Sequence, residues 1–266
     1  MDNSSRTRGH SIHEVKRMNW RPQQGMYRRI YAEGFSAYSL SLRDLSAAFI
    51  RSDRVVRCID EGTPGGIRLA GQGILLGLDK TVDVLRDAEV EGVTAHQGCG
   101  ACGIYAKNAG LECNITDKYG VEWSKKLAEA LDVHYKGLIL GKNMLRPKGR
   151  HIARITYYDG SGRFDCAKSR GLPPGFVISR RYLEKHYEYA RQEIEISISI
   201  AMGPHGFGEM LTKEDPYMVV AIGDPQDDTF SVEKLRGEIE HLADKYGGRV
   251  KVDGFIAPTP GEDKTA

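Results

Sequence analysis

Apolar residues along this chain keep two rhythms. Short runs at 54–59, 66–70, 92–96, 217–222 and 249–256 are rich in Val, Ile and Leu. Several are bounded by glycine, and together they predict buried strands. Between them, apolar residues fall at helical spacing over Ser41–Ile50, Ile74–Leu85, Ala101–Ala109, Val121–Leu131, about 180–193 and Val232–Tyr246. That pattern predicts helices, with Ser41 an acceptable N-cap. Strands alternating with helices predict an α/β fold: a central, mostly parallel β-sheet flanked by helices and joined by right-handed crossovers. Residues 152–158 and 163–166 flank the turn Asp159-Gly-Ser-Gly162 and predict an added β-hairpin. Ile194-Glu-Ile-Ser-Ile-Ser-Ile200 alternates with period two and predicts a strand with one wet face. No internal repeat is visible.

The same pattern sets the expected organisation. Residues 1–35 are polar and basic, with Trp20, Tyr27 and Tyr31 interspersed, and predict an arm, extended or partly helical, that packs onto something. Residues 36–258 predict a single α/β domain, and 259–266 a polar tail. At 266 residues the chain is long enough for one sizeable core. No apolar run approaches the roughly 18 residues of a membrane helix, and the polar start lacks the apolar centre of a secretory signal, so the expected compartment is the cytoplasm. Five cysteines, an odd number, do not suggest a disulfide framework and suit free thiolates. The net charge of +2 is too small to indicate nucleic acid. Basic stretches at 6–57 and 142–170 read as a solvated face or a subunit contact, with phosphate binding as the functional alternative.

Candidate chemistry concentrates in two segments, Cys58-Ile-Asp60 and His96-Gln-Gly-Cys99. Each follows a predicted strand, which places both at the carboxyl edge of the sheet, where open α/β sheets bind ligands. Two thiolates and one imidazole form the three-ligand set of a catalytic Zn2+ site, with a fourth position open for water. Cys102 is the alternative fourth ligand, giving a closed Cys3His site; Cys99-Gly-Ala-Cys102 also reads as a redox pair. Gly98 and Gly100 would let backbone N–H groups approach the metal or its anion, and Gly71 and Gln72 could line the pocket. Glu61 reads as solvated, with proton transfer as its alternative. His205 reads as a loop histidine or a proton shuttle. Cys113, Cys166, His134, His151 and His186 read as structural. Tyr157, Tyr158, Tyr182, Tyr187 and Tyr189 read as core or interface.

These residues carry a resemblance. Cys58-Ile-Asp60, Arg68-Leu-Ala-Gly71 and His96-Gln-Gly-Cys99-Gly100-Ala101 resemble, in order and chemistry, the motifs of β-class carbonic anhydrases. The likeness covers about residues 54–105. It implies a β-carbonic-anhydrase-like fold, zinc held by Cys58, His96 and Cys99, and Asp60 as the catalytic carboxylate. It implies hydration of carbon dioxide to bicarbonate, with a homodimer or higher homo-oligomer as the assembly. The family's Asp is paired with an Arg two residues later, and that position here is Gly62. The expected outcomes are that another cation, such as Arg68, holds Asp60, or that Asp60 closes the metal site and leaves a non-catalytic zinc protein. Hydrolysis of carbon disulfide or carbonyl sulfide would use the same attack on a linear electrophile.

Overall fold

A computed structural model describes residues 12–50, 53–147 and 150–259. Eight strands form two sheets of four, every neighbouring pair parallel. The first contains β1 (Val55–Arg57), β2 (Ile67–Arg68), β3 (Gly92–His96) and β4 (His134–Ile139), ordered β2-β1-β3-β4. The second contains β5 (Ile155–Asp159), β6 (Phe176–Ile178), β7 (Tyr217–Gly223) and β8 (Val250–Ile256), ordered β6-β5-β7-β8. One topology is therefore used twice. In each half two strands are joined by a loop, an α-helix leads to the third, and two helices lead to the fourth. These helices are α3 (Leu78–Leu85), α4 (Gly100–Asn108) and α5 (Thr116–Ala130) in the first half. Their counterparts are α6 (Tyr187–Met202), α7 (Val232–Ile239) and α8 (His241–Lys245).

The α/β class and the parallel pairing agree with the sequence expectation, but three features correct it. There are two sheets rather than one central sheet. The expected hairpin is absent: β5 and β6 run parallel, and 163–166 is not a strand. The Asp159 carboxylate accepts the Ser161 and Phe164 N–H groups at 2.8 and 3.2 Å, so the turn leads the chain away from β5 instead of back along it. Finally, 194–200 belongs to helix α6. At 100° per residue, Ile194 and Ile198 fall on one face and Ile196 and Ile200 on nearly the opposite one. Ile194 and Ile198 are in the core, and Ile196 and Ile200 line an internal cavity. A helix apolar on two sides imitates the alternation of a strand.

Sheet burial explains the unbroken apolar run of β7. Tyr217, Val219 and Ala221 face the large core shared with α6, α7 and the first half, while Met218, Val220 and Ile222 face a second core. That second core is capped by α1 (Ile12–Glu33) and α2 (Phe35–Leu40). Both faces are covered, as parallel sheets require. Within the expected N-terminal arm, residues 1–11 lie outside the described residues and 12–33 are helical. Trp20 and Tyr27 on α1 enclose the buried Arg154 guanidinium at 3.5 and 4.0 Å from their ring centroids, which fastens the helix to the second sheet. Of the expected polar tail, 260–266 lie outside the described residues.

The halves are joined edge to edge. Val177 N–H donates to Ile59 O at 3.1 Å and Ser179 N–H to Arg68 O at 3.0 Å, so β6 abuts the β1–β2 region. Among the described residues no helix is long and apolar enough to cross a membrane.

Candidate metal centre

The strand order of the first sheet reverses between β1 and β3, which opens a crevice at their carboxyl ends. Cys58 follows β1, His96 ends β3, and Cys99 is the residue before α4. All three are buried, and one donor atom from each lies within 4.8 Å of the others. The two sulfurs are 3.8 Å apart. A tetrahedral zinc with Zn–S bonds of about 2.3 Å would hold its sulfurs about 3.8 Å apart, so this separation fits. His96 Nδ1 lies 3.0 Å from Gln97 O, which keeps a proton on Nδ1 and makes Nε2 the nitrogen available to a metal once it is deprotonated. That Nε2 is buried with no hydrogen-bond partner among the described residues, an arrangement a metal ion resolves.

Without metal the thiols are held protonated. Cys99 beside it, then burial, push Cys58 well up; Cys102 beside Cys99 does the same there, reinforced by burial. Burial pushes the His96 imidazole down, but Cys58 and Asp60 pull it up to about 9. Metal binding must displace these protons, so affinity falls as pH falls. Cys102, buried one turn along α4, lies outside the donor group.

Asp60 does not depend on Arg68. Arg68 is buried and donates to the backbone carbonyls of Cys58 and Asp60, fixing the loop that carries them. Arg57 pairs with Asp53 instead. The cation on the Asp60 carboxylate is Arg146: Nε donates to Oδ1 at 2.8 Å and Nη2 to Oδ2 at 2.9 Å, a bidentate fork. Burial pushes this carboxyl up, but His96, Arg146 and His151 outweigh it and hold it well below the usual carboxylate range. Gly62 makes the fork possible. A Cβ there would lie 2.8 Å from Arg146 Cγ and Met144 Cε and 3.0 Å from Asp60 Oδ1. The space beside Asp60 is thus filled by an arginine 86 positions later in the chain.

Gly71 supplies the backbone donor expected of Gly98 and Gly100. Its N–H reaches Cys58 Sγ at 3.3 Å, and its φ of +53° suits glycine. Gly98 N–H instead caps onto Asp117 at 2.7 Å, and Gly100 packs beneath Ile200. Gln72 is buried nearby, and its carbonyl accepts from Trp123. The preceding Ala70 N–H is held at 2.8 Å by Glu193 of α6, a fully buried carboxyl that burial pushes up to about 8.

A small cavity adjoins Cys58 and Asp60. It is lined by Ile59, Gly100, Ala101, His151, Phe176, Ile196 and Ile200 as well, and leaves about 10 Å³ for the centre of a water-sized molecule. One water needs ~10–15 Å³ on that measure. Phe176, Ile196 and Ile200 belong to the second half, so both halves build this wall. Glu61 is not solvated. Its side chain is 1 % exposed, and it lies 2.9 Å from His151 Nδ1. His205 is exposed and contributes only its backbone oxygen, to His151 N–H. Cys113 is exposed and Cys166 is buried in the second core.

Sequence reasoning missed Arg146 and His151. Both lie on the 140–154 link between the sheets, and nothing in local pattern ties that link to residue 60. The available signal was Gly62, a missing side chain where a cation is needed. No protein-family model, curated protein or solved structure matches the chain. Fold and site together define an α/β protein of two parallel four-stranded sheets, with a Cys-His-Cys group able to hold a metal ion beside an Asp-Glu-His group.

Proposed function

We propose that the chain is a zinc-dependent hydratase that converts carbon dioxide and water to bicarbonate and a proton, in the manner of the β-class carbonic anhydrases its motifs resemble. Cys58, His96 and Cys99 would hold the ion. When bound, zinc supplies the Lewis acidity that makes water a nucleophile near neutral pH. Asp60 is kept ionised, and its engagement with Arg146 holds it as a hydrogen-bond acceptor for the reacting water rather than as a fourth ligand. Oδ1 already accepts from both Gly62 and Arg146, whereas Oδ2 accepts only from Arg146 and keeps a lone pair. The apolar wall of Phe176, Ile196 and Ile200 suits a small uncharged electrophile and excludes large ones by size.

One observation carries this reading: the Arg146–Asp60 fork beside the Cys2His donor set. It restores, from a distant part of the chain, the paired cation that Gly62 removes. Zinc-loaded protein in a stopped-flow assay should hydrate carbon dioxide well above background, with Asp60→Asn much slower at unchanged zinc content. Background rates at full zinc occupancy across pH would leave the non-catalytic zinc protein. Turnover of carbonyl sulfide or carbon disulfide alone would move the substrate within the same linear class.

A further inference from the structure

Asp60, Glu61 and His151 also bring donor atoms within 4.8 Å of one another. A second metal is not the best account of them. It would have to displace Arg146 from both oxygens of Asp60, and the Ile152 N–H that donates to Glu61 Oε1 at 2.8 Å. The contacts instead have the pattern of a carboxylate orienting an imidazole. Glu61 Oε2 and Oε1 lie 2.9 and 3.2 Å from His151 Nδ1. With Glu61 ionised, Nδ1 carries the proton and Nε2 keeps its lone pair. Nε2 has no hydrogen bond to the described residues and is not among the buried unpartnered atoms.

The ring is held from other sides too. It packs on Phe176 with centroids 5.3 Å apart, its backbone N–H donates to His205 O at 2.9 Å, and it borders the cavity together with Cys58 and Asp60. Its side chain is 9 % exposed, against 4 % for Asp60 and 1 % for Glu61. His151 therefore borders the cavity and is the most exposed member of this group.

Resting on the reading above, we infer that His151 is the proton carrier of this site and Glu61 its positioning residue. The proton released from water during turnover passes to the Nε2 lone pair, while the Nδ1 proton stays on its hydrogen bond to Glu61. The resulting imidazolium gives up the Nε2 proton to a buffer base in solvent and returns to neutrality. No electrons move and no other group is consumed. The charged groups around His151 are Glu61 and Asp60 at its ring and Arg146 between them and the link, with Arg150 next in the chain.

Proton export follows the chemical step, so its loss should lower kcat and spare kcat/KM for carbon dioxide. In zinc-loaded protein at low buffer concentration, His151→Ala should lose at least tenfold in kcat, the lower range for a positioned acid–base group being about 100-fold. Added imidazole should restore most of it. His151→Gln, which keeps a donor for Glu61, should fold normally and show the same rescue. Separately from turnover, 15N shifts of His151 in zinc-loaded protein should report the Nδ1–H tautomer, and Glu61→Gln should mix the tautomers. Unchanged kcat in both His151 variants, or no buffer rescue, would remove the relay and leave the hydratase standing. An Nε2–H tautomer would remove it as well. Wild-type rates at background would remove both.

Discussion

The two halves of this molecule share a strand order, a parallel pairing and a helix sequence, yet among the described residues only the first carries a Cys-His-Cys donor set. The same turn marks both. In the first half Asp60 Oδ1 accepts Gly62 N–H at 2.8 Å after β1; in the second Asp159 Oδ1 accepts Ser161 N–H at 2.8 Å at the end of β5. Aligning the two turns puts Tyr157 where Cys58 stands, Ala221 where His96 stands and Asp224 where Cys99 stands. Asp224 is occupied by Arg181 at 3.0 Å. Around Gly160 the crevice is filled, since a Cβ there would meet Leu235, Ile222 O and Phe230 within 3.0 Å. The aspartates diverge accordingly. Burial pushes Asp159 up against only neutral hydrogen-bond donors, while charged neighbours hold Asp60 down. Topology supplies a crevice, and the side chains at its rim decide whether it becomes a site or a packed seam.

The sharpest way to break this comparison is to remove a donor from each crevice. Cys99→Ser should lower zinc affinity by more than the ~100-fold typical of removing a ligand's own support, whereas Asp224→Ser should leave zinc stoichiometry unchanged. Elemental analysis after dialysis against a weak chelator reads both. Equal metal content in the two variants would refute the asymmetry.

The second test removes the arginine from Asp60 in the first crevice and from Asp224 in the second. Arg146→Met leaves the buried Asp60 carboxylate without its bidentate partner, at a cost of about 3–5 kcal/mol near neutral pH. Arg181→Met, at a side chain 36 % exposed, should cost no more than about 1 kcal/mol. The pH dependence has a definite sign. Asp60 has a folded pKa depressed below its unfolded value of about 3.9, so its contribution is fully present above that value and is lost as pH falls below it. In the variant the buried carboxyl loses part of that depression, and protonating it relieves the penalty. The stability gap measured by urea unfolding should therefore be widest near pH 7 and close below about pH 4.

Much of the first half was legible because each signal was local. The run ending at Cys58 and the glycine-flanked run ending at His96 mark strand ends without any knowledge of tertiary contacts, and Cys99 follows one turn later. The second half hid its architecture. The residues of β5, Ile155-Thr-Tyr-Tyr-Asp159, share almost nothing with Val55-Val-Arg57, because each strand answers to its own core; the duplication lies in hydrogen-bond register rather than in side chains. Asp159-Gly-Ser-Gly162 carries good hairpin chemistry, and its own carboxylate uses the turn differently. Gly62 marked that a cation had to come from elsewhere, but not which one, since a bidentate contact across 86 positions leaves no periodic trace.

The smallest expected effects lie at one glycine in each turn, Gly62 and Gly160, and they separate the two crevices most finely. Gly160→Ala drives a methyl to 2.6 Å from Leu235 Cδ1 and 2.9 Å from Ile222 O; one neighbour is backbone and cannot yield. That overpacking should cost about 1–3 kcal/mol of stability and leave zinc content and hydration rate unchanged. Gly62→Ala meets Arg146 Cγ and Met144 Cε at 2.8 Å, both on side chains that can shift. Its stability cost should be smaller, about 1 kcal/mol, because relaxation is available. The relaxation has to move Arg146 relative to Asp60, and a fork with both bonds below 3.0 Å tolerates little displacement. Gly62→Ala should therefore spare the fold and lower the hydration rate, the reverse of Gly160→Ala. Paired unfolding and rate measurements would show it, and a Gly62→Ala protein with wild-type rates would mean that the fork is only scaffolding.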